Sequence, residues 1–551
     1  MAAVVGKRFE RTLRGRIFQG VSSLVGSVLG VFSPRAAFSY MAGRNMLLRA
    51  KSRGYDAAQM RGPNSRWHPM NRTADSEIRW EGLWVRARAR DLGRNDSRIK
   101  GAIGTICNNV VRTGIWPDPT VAKARGNEPH GDLNKSLRAL WNAWAPHADA
   151  SGYGSIYSMQ RLGLRHLIED GEYLMRTVWN RNFPVLPLRI QLIEVDQLVE
   201  CLDGQIENGN TIRRGIEFTP EGTVAAYHLL THHPGDYGWT SMAAPVGQIV
   251  RVPATECKLV FARERISQTR GISWLSPVIM RAFNLNEYDD YEMIGAKLAA
   301  AFGVFIKTPF AEGMTASLGS PVPGMDGEST EGAAGRPMQD YIEPGRIQRL
   351  AAGEDIQIAE HSRPGSNYKD FVSNNKRDVA AGMGISYETL SKDLSQTTYS
   401  GGRQGLQEER TGYSVLQDFL NEQKNDWIYA QFIRAAYLSG VVSLPGYDQD
   451  PSRLLSKTWN NPGWPWIDPR NDAQASQIKI ELGISSRTRE ARAQGADFDE
   501  CVEEQIREEE KLAKLRAVQP AAPALPAASP VDPGSAEPSK ENDNADASQA
   551  A

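Results

Sequence analysis

Apolar residues recur every three or four positions in several stretches of the chain, and each such stretch predicts a helix with one buried face. Over residues 95 to 115 the positions are Ile99, Ile103, Ile106, Val110 and Val111, with a stop near Gly114; over 132 to 145 they are Leu133, Leu137, Leu140, Trp141 and Trp144. A third helix is expected to open at Ser276, a residue type suited to the N-cap, with Pro277 at the first helical position. It runs to Gly303 and offers Val278, Phe283, Leu285, Met293, Ile294 and Leu298 for packing. A fourth rises through Asp370 to Gly382. The longest starts near Gln404, where Leu406, Tyr413, Leu416, Leu420, Trp427, Ile428 and Phe432 give one buried stripe before a glycine stop at Gly440. About 34 residues at 1.5 Å each make a strut of roughly 50 Å.

Between the second and third helices the period changes from about four to two. Residues Glu172 to Trp179 alternate, Leu188, Ile190 and Leu192 share a face, and 215 to 230 reads as strand, turn and strand. Residues 310 to 345 turn to Gly, Pro and small side chains, after which short strand-like pieces resume at "GRIQRL" and "EDIQIAE". The pattern predicts an α+β fold, and no repeat of 20 to 50 residues points to a solenoid. Beyond Trp459 the cluster "WNNPGWPWIDP" is expected to pin the far end of the strut against the sheet block. Charge-rich helical residues 487 to 516 follow, and from Val518 an acidic Ala/Pro/Ser tail has the composition of a disordered segment.

One segment breaks the rhythm. A short helical stretch stops at Gly384, an uncharged polar loop spans Ser395 to Gly402, and the strut begins after it. A hydroxyl- and Gly-rich tip between two rods suits repeated, weak, sequence-blind contact with a polymer better than tight ligation of a small molecule.

A chain of 551 residues exceeds the size at which one core stops growing, so about three structural units are expected. The net charge of −1 hides a division: residues 1 to 100 hold 20 Lys+Arg against 7 Asp+Glu, leaving 44 against 58 in the rest. The basic N-terminal segment is expected to be mostly a solvated, partly disordered arm. Four dispersed cysteines, with no CxxC pair, argue against a disulfide framework or zinc module and fit a reducing cytosol. The run Ile17 to Phe32 imitates a signal-peptide core but is short for a bilayer span and diluted by Gly and Ser. An amphipathic or loosely packed N-terminal segment is the expectation, with secretion or membrane association through that run as the other reading.

Enzyme signatures are sparse. The single Gly-Lys pair, Gly6-Lys7, has no Walker glycines before it, and HExxH and GxSxG are absent. His228, His232 and His233 would converge only on a helix, whereas their surroundings predict strand then turn. Paired carboxylates at Glu169-Asp170 and Asp289-Asp290 leave a metal-dependent nuclease as the alternative function. Without a DNA-binding motif and with a net-negative body, any DNA would be handled loosely. No catalytic residue, metal or cofactor is expected.

Several segments together resemble the lambda-type portal proteins of tailed bacteriophages. They are "RARDLGRNDSRIKGAIGTICNNVVRTGI" at 88 to 115, "LRIQLIEVDQL" at 188 to 198, "FARERISQTRGISWLSPVIMRAFNLNEYDDYEMIGAKLAAAFGVFI" at 261 to 306, "AAGMGISYETLSKDLSQTTYSGGRQGLQEER" at 380 to 410, and "WPWIDPRNDAQASQIKIELGISSRT" at 464 to 488. The resemblance implies a non-enzymatic ring, typically of twelve subunits, at the unique capsid vertex, through which a separate motor pumps double-stranded DNA. It implies a basic arm at 1–45, a wing at 46–275, stem helices at 276–303 and 368–385, a clip at 304–367, a tunnel loop at 386–403, the strut at 404–440, a C-terminal wing or crown segment at 441–516 and a tail at 517–551. Its implied partners are further copies of the chain, the terminase large subunit, capsid and scaffold proteins, a head-tail adaptor and DNA without sequence specificity, with no membrane. The implied location is the virion, with assembly in the host cytoplasm. Thr397, Thr398, Ser400, Gly401, Gly402 and Arg403 become candidates to face DNA or a neighbouring subunit, Arg403 being the charge there available for a phosphate. Glu287, Asp289, Asp290 and Glu292 become candidates for an acidic channel lining, or else a solvated face.

Overall fold

The computed structural model describes Arg66 and residues 69–123, 128–236, 248–301, 305–306, 348–349 and 368–518. The chain divides into two units, Met1–Thr73 and Ala74–Ala551. Of the first, only Arg66 and residues 69–73 are described, so the run Ile17 to Phe32 lies outside the described residues, as do the insert at 310 to 338 and the tail beyond Val518.

The second unit is mixed α and β. It opens with helices α1 (Ala74–Asn95) and α2 (Ser97–Val111), strand β1 (Trp116–Pro119), and helices α3 (Gly131–Trp144) and α4 (Ile156–Glu169). Every apolar position named above for α2 and α3 is buried. Asp96 caps α2 by accepting from the backbone N–H groups of Arg98 and Ile99, and Ser155 caps α4.

Two sheets follow. Strands β2 (Glu172–Trp179) and β3 (Leu188–Ile193) pair antiparallel, and β4 (Gly204–Gln205), β5 (Thr211–Arg213), β6 (Ile216–Phe218), β7 (Val224–Leu230) and β8 (Ile249–Pro253) form a five-stranded antiparallel meander. Strand β9 (Cys257–Phe261) returns to the other edge of β2. The expected hairpin is β6–β7, with Ile216 opposite Tyr227.

Helix α5 (Ile279–Ala301) begins three residues later than Ser276. The backbone first makes a turn over Leu275–Val278, because Ser273 holds the entry: its hydroxyl donates to Ile168 O at 3.0 Å and accepts from Leu275 N at 3.2 Å. Val278, Ala282 and Leu285 are buried, but Phe283, Met293 and Ile294 stand about half exposed. After the short parallel pair β10 (Phe305–Ile306) and β11 (Gln348–Arg349), helix α6 (Tyr368–Gly382) lies antiparallel on α5. Tyr288 stacks on Tyr368, Arg281 pairs with Asp378, and Gly382 is required because a Cβ there would meet Val278 Cγ1 at 2.3 Å.

Next come α7 (Tyr387–Ser391) and α8 (Tyr399–Leu420), a π-turn at Asn421–Asn425, and α9 (Asp426–Ser439), which stops at Gly440 with φ +68°. The strut therefore starts at Tyr399, not near Gln404, and spans about 60 Å at 1.5 Å per residue. Its buried stripe holds Tyr413, Leu420, Ile428 and Phe432, while Leu406 is exposed.

Strand β12 (Lys457–Asn460) pairs antiparallel with β1. The Trp-rich cluster does not pin the strut's far end; it runs back along the strut's length. Trp459 Nε1 donates to Asp426 at 2.9 Å, Asn461 accepts from Asn421, Pro462 O from Gln417, and Pro465 O from Arg410 at 3.1 Å. Prolines at 462 and 465 leave carbonyls but no N–H, so this ribbon satisfies strut side chains without sheet pairing. Helices α10 (Pro469–Glu481), α11 (Arg487–Ala493) and α12 (Phe498–Val518) complete the unit. Among the described residues no helix is long and apolar enough to cross a membrane.

Candidate nucleic-acid interface

The loop between the rods is shorter than its sequence implied. Gly384 turns the chain at φ +71°, and Ser386 caps α7 by accepting from Thr389 N at 3.1 Å. Lys392 ends α7 in the left-handed region at φ 57°. Only residues 393–398 remain outside helices before α8. Within them the Asp393 carboxylate accepts from Ser395 N at 3.0 Å, a bond that with the Ser395 hydroxyl holds its carboxyl below the usual range.

Of the six candidate loop residues, four belong to the strut. Ser400, Gly401, Gly402 and Arg403 form the first turn of α8, because Thr398 is its N-cap and accepts from Gly401 N at 3.3 Å. Thr397 Oγ1 donates to Glu388 Oε1 at 3.1 Å, across the loop's mouth. The two glycines let this turn sit tight: a Cβ on Gly401 would stand 3.1 Å from Thr398 Oγ1, and one on Gly402 3.2 Å from Thr397 Cγ2. Arg403 is not a spare charge, since it pairs with Asp472 at 3.1 Å and ties α8 to α10. What the loop does expose is polar backbone and hydroxyls flanked by Leu394 and Tyr399.

The acidic group on α5 also divides. Asp289 accepts from Arg98 Nη1 at 2.9 Å and from the Tyr368 hydroxyl at 3.0 Å, which joins α5 to α2 and α6. Glu287 and Asp290 are exposed, and Glu292 is half-buried.

Sequence reasoning missed the group that holds the loop in place. Glu409, one helical turn before Tyr413 on the buried stripe, accepts from Ser386 N at 2.6 Å, Thr389 Oγ1 at 2.8 Å and the Tyr413 hydroxyl at 3.2 Å. A single carboxylate thus clamps the base of α7 to the strut. Burial and this neighbouring charge push the Tyr413 phenol well above its ordinary value, so it stays a donor. The available signal was a carboxylate on a face otherwise reserved for apolar residues.

Several carboxylates of the helix and sheet block are occupied by basic side chains. Asp170 is held by Arg90 at 2.6 Å and by His166 at 2.7 Å, and Glu169 by Arg165 at 2.7 Å. Burial opposes the charge on Asp170, but His166 and Arg90 prevail and its carboxyl lies below the usual range. The three histidines do not converge. His228 faces Glu217 at 3.4 Å, His232 is exposed, and His233 approaches Glu194 at 3.4 Å and Asp196 at 3.7 Å. Glu194, Asp196 and His233 do place three ligand atoms within 4.8 Å of one another. Asp196 already accepts from Arg86 at 3.2 Å and Arg90 at 2.6 Å, and these cations oppose a metal there.

Carboxylates spent on arginines, and an exposed loop clamped to the end of a long rod, define a scaffold for presenting that loop. The profile described as "Phage portal protein, lambda family" matches residues 61–417, and the chain belongs to this family. It is similar to the "Probable portal protein" of Halomonas phage phiHAP-1, with 27% identity over 471 residues covering 84% of this chain and 88% of that one. Against the "Portal protein" of Escherichia phage N15 the identity is 23% over 82% of this chain and 87% of that one, and against "Portal protein B" of Escherichia phage lambda it is 22% over 80% and 86%. Among solved structures it is similar to a chain of the "Neck of native GTA particle computed with C12 symmetry", with 12% identity, a TM-score of 0.36, and 76% of this chain and 94% of that chain covered. The family is a structural one, and the nuclease alternative gains no support from these relatives.

Proposed function

We propose that the chain closes into a ring of about twelve copies around double-stranded DNA at the capsid vertex, where it guides DNA inward during packaging, retains it and releases it at ejection. In this reading α5 and α6 form the stem, residues 304–367 the clip, the sheets and α1–α4 the wing, and α8 with α9 the strut. Residues 393–398, with the first turn of α8, form the tunnel loop. The partners are the terminase large subunit, capsid and scaffold proteins, a head-tail adaptor and DNA bound without sequence preference. Assembly takes place in the host cytoplasm.

The observation that carries the reading is the Glu409 clamp, which presents a hydroxyl-rich loop with one carboxylate, Asp393, at the end of a rod anchored in the core. Duplex DNA bears one charge per roughly 1.7 Å of axis, so a hydroxyl tip whose charge within 393–398 is the Asp393 carboxylate slides where a basic one would grip. Two further features fit. Met280, Phe283, Met293 and Ile294 leave apolar surface exposed on α5, and since each is already about half covered, a neighbouring copy would gain about half of the 1.5–3 kcal/mol that full burial of such a side chain gives. A closed ring needs such a face to meet a different face of the next copy. Exposed Glu287 and Asp290 remain candidates for the channel lining; Asp289 is committed within the subunit.

Negative-stain microscopy of the purified full chain tests this directly. Rings with a hole wide enough for a duplex are expected, and a uniformly monomeric preparation would overturn it.

A further inference from the structure

The strut changes character at its π-turn. Such a turn inserts one extra residue into an α-helix and recurs at functional sites. Of its five side chains, Asn421, Lys424 and Asn425 are buried. With Gln417 one turn earlier they make a polar seam on the inner face of the rod. Gln417 Nε2 donates to Val110 O at 2.9 Å, Asn421 Nδ2 to Asn461 Oδ1 at 2.9 Å, and Asn425 Nδ2 to Asn421 Oδ1 at 2.9 Å, while Gln160 Nε2 donates to Asn425 Oδ1 at 3.3 Å. Lys424 has no exposed surface, and its Nζ donates to Met159 O at 2.9 Å.

That environment suits an amine and not an ammonium. An ammonium carries three donors, and a buried charge without a carboxylate partner is strongly disfavoured. Burial pulls the Lys424 amine down to about 7. The charged groups on the elements around the turn do not relieve this. On the strut, Glu422 is exposed and Asp426 pairs with Lys457 of β12 at 2.6 Å. Lys258 on β9 is a second amine pulled down by burial, and Arg161 on α4 donates to Arg112 O at 2.8 Å.

The two halves of the strut are also held unequally. Helix α9 buries Ile428, Tyr429, Gln431, Phe432, Ile433, Ala435 and Ala436, whereas α8, with eight more residues, buries Glu409, Tyr413, Gln417 and Leu420. A seam of amides and one amine divides a half packed mainly by apolar side chains from one held mainly by polar contacts at Arg403, Glu409, Arg410 and Gln417.

We propose that Asn421–Asn425 is a proton-linked hinge: the loop-bearing half, Tyr399–Leu420, tilts about the π-turn as Lys424 leaves the seam and takes up a proton from solvent. The hinge itself rests on this geometry alone; only its consequence, movement of the loop toward or away from the bore, rests on the portal reading. The exposed amine holds its proton up to about its ordinary 10.5 and the buried amine only below about 7. Opening is therefore favoured at the lower end of that window, falls up to about tenfold for each pH unit gained, and is level below its lower limit.

Hydrogen exchange by mass spectrometry on the purified full chain, between pH 7 and 9.5, tests the hinge, each rate being divided by the unstructured-chain rate at the same pH. Peptides spanning 415–430 are expected to show an opening constant that falls with pH in the wild type. In Lys424→Met the constant is expected to be lower and level, and in Lys258→Met the wild-type slope persists. A level wild-type profile overturns the proposal even if Lys424→Met fails to fold. A slope that survives in Lys424→Met, or vanishes in Lys258→Met, assigns the proton elsewhere and overturns it too. Absence of rings by microscopy would count against the portal reading while leaving this slope readable, so the two fail separately.

Discussion

Replacing Glu409 tests how the loop is held. The Glu409→Ala variant strips one carboxylate from three donors: Ser386 N, the Thr389 hydroxyl and the Tyr413 hydroxyl. Thr389 Oγ1 also accepts from Ser386 Oγ at 3.1 Å, which does not replace its lost acceptor, but its half-buried hydroxyl can turn to solvent, so the other two donors bear most of the loss. Hydrogen bonds to a charged group contribute about 1.5–3 kcal/mol each, and an orphaned buried donor costs about 1–3 kcal/mol. The change should therefore weaken local closure by about 3–4 kcal/mol. Since 1.36 kcal/mol is a factor of ten, exchange of the amides in 384–398 should quicken by roughly two hundred- to several hundred-fold. Amides of α9, deep in the hydrophobic core, should keep their rates. Glu409→Gln retains one acceptor oxygen and should fall between the two. Unchanged exchange over 384–398 in Glu409→Ala would refute the clamp, and equal acceleration in α9 would show that Glu409 stabilises the whole unit and not the loop.

Three other outcomes follow from the same structure. Glu172 and Arg270 are both fully buried and bidentate, with Gly271 N also donating to Glu172 at 2.8 Å; Glu172→Ala leaves Arg270 with the longer Glu200 contact at 3.3 Å as its carboxylate partner and should lower unfolding stability by about 3–5 kcal/mol in urea titration, with a loss under 1 kcal/mol counting against the pair. The Arg251 fork, Nε at 2.7 Å and Nη2 at 3.0 Å, holds the buried Glu217 carboxyl down at about 2 against an ordinary 4.5, so its stabilisation of the β4–β8 sheet is full above the ordinary value and is lost as pH falls toward the lower one. Acid titration followed by amide exchange of the sheet should show that loss, and Glu217→Gln should flatten it over the same window. Deleting residues 394–397 spares the Thr398 cap and should leave rings intact while impairing packaging or retention; a deletion strain that fills and retains DNA normally would defeat the loop assignment.

The helices and strands were legible because one physical signal, apolar periodicity, decides them. Ile99 to Val111 and Leu133 to Trp144 bury every residue their spacing marked. The boundaries around the loop were not, because capping decides them: Thr398 reads as one more hydroxyl in a polar run until the chain folds it over Gly401 N. Likewise Ser276 reads as a cap, yet the helix starts at Ile279 after an entry held by Ser273 on Ile168, more than 100 residues away, which no local window contains. The pairings of Arg403 with Asp472 and of Asp289 with Arg98 were not legible for the same reason, since they form only through the fold. Half-exposed Phe283, Met293 and Ile294 carry the reverse lesson: periodicity marks a face to be buried but not whether its partner lies in the same chain.

The central claim is that the tip between α7 and α8 faces passing DNA. A photo-crosslinking amino acid in place of Gln396, in particles assembled from the otherwise intact chain, tests it most directly. The account predicts a DNA adduct at that position in filled particles, none in empty ones, and adducts between neighbouring copies in both. Filled particles with normal rings in which residue 396 joins capsid protein or nothing at all would contradict it.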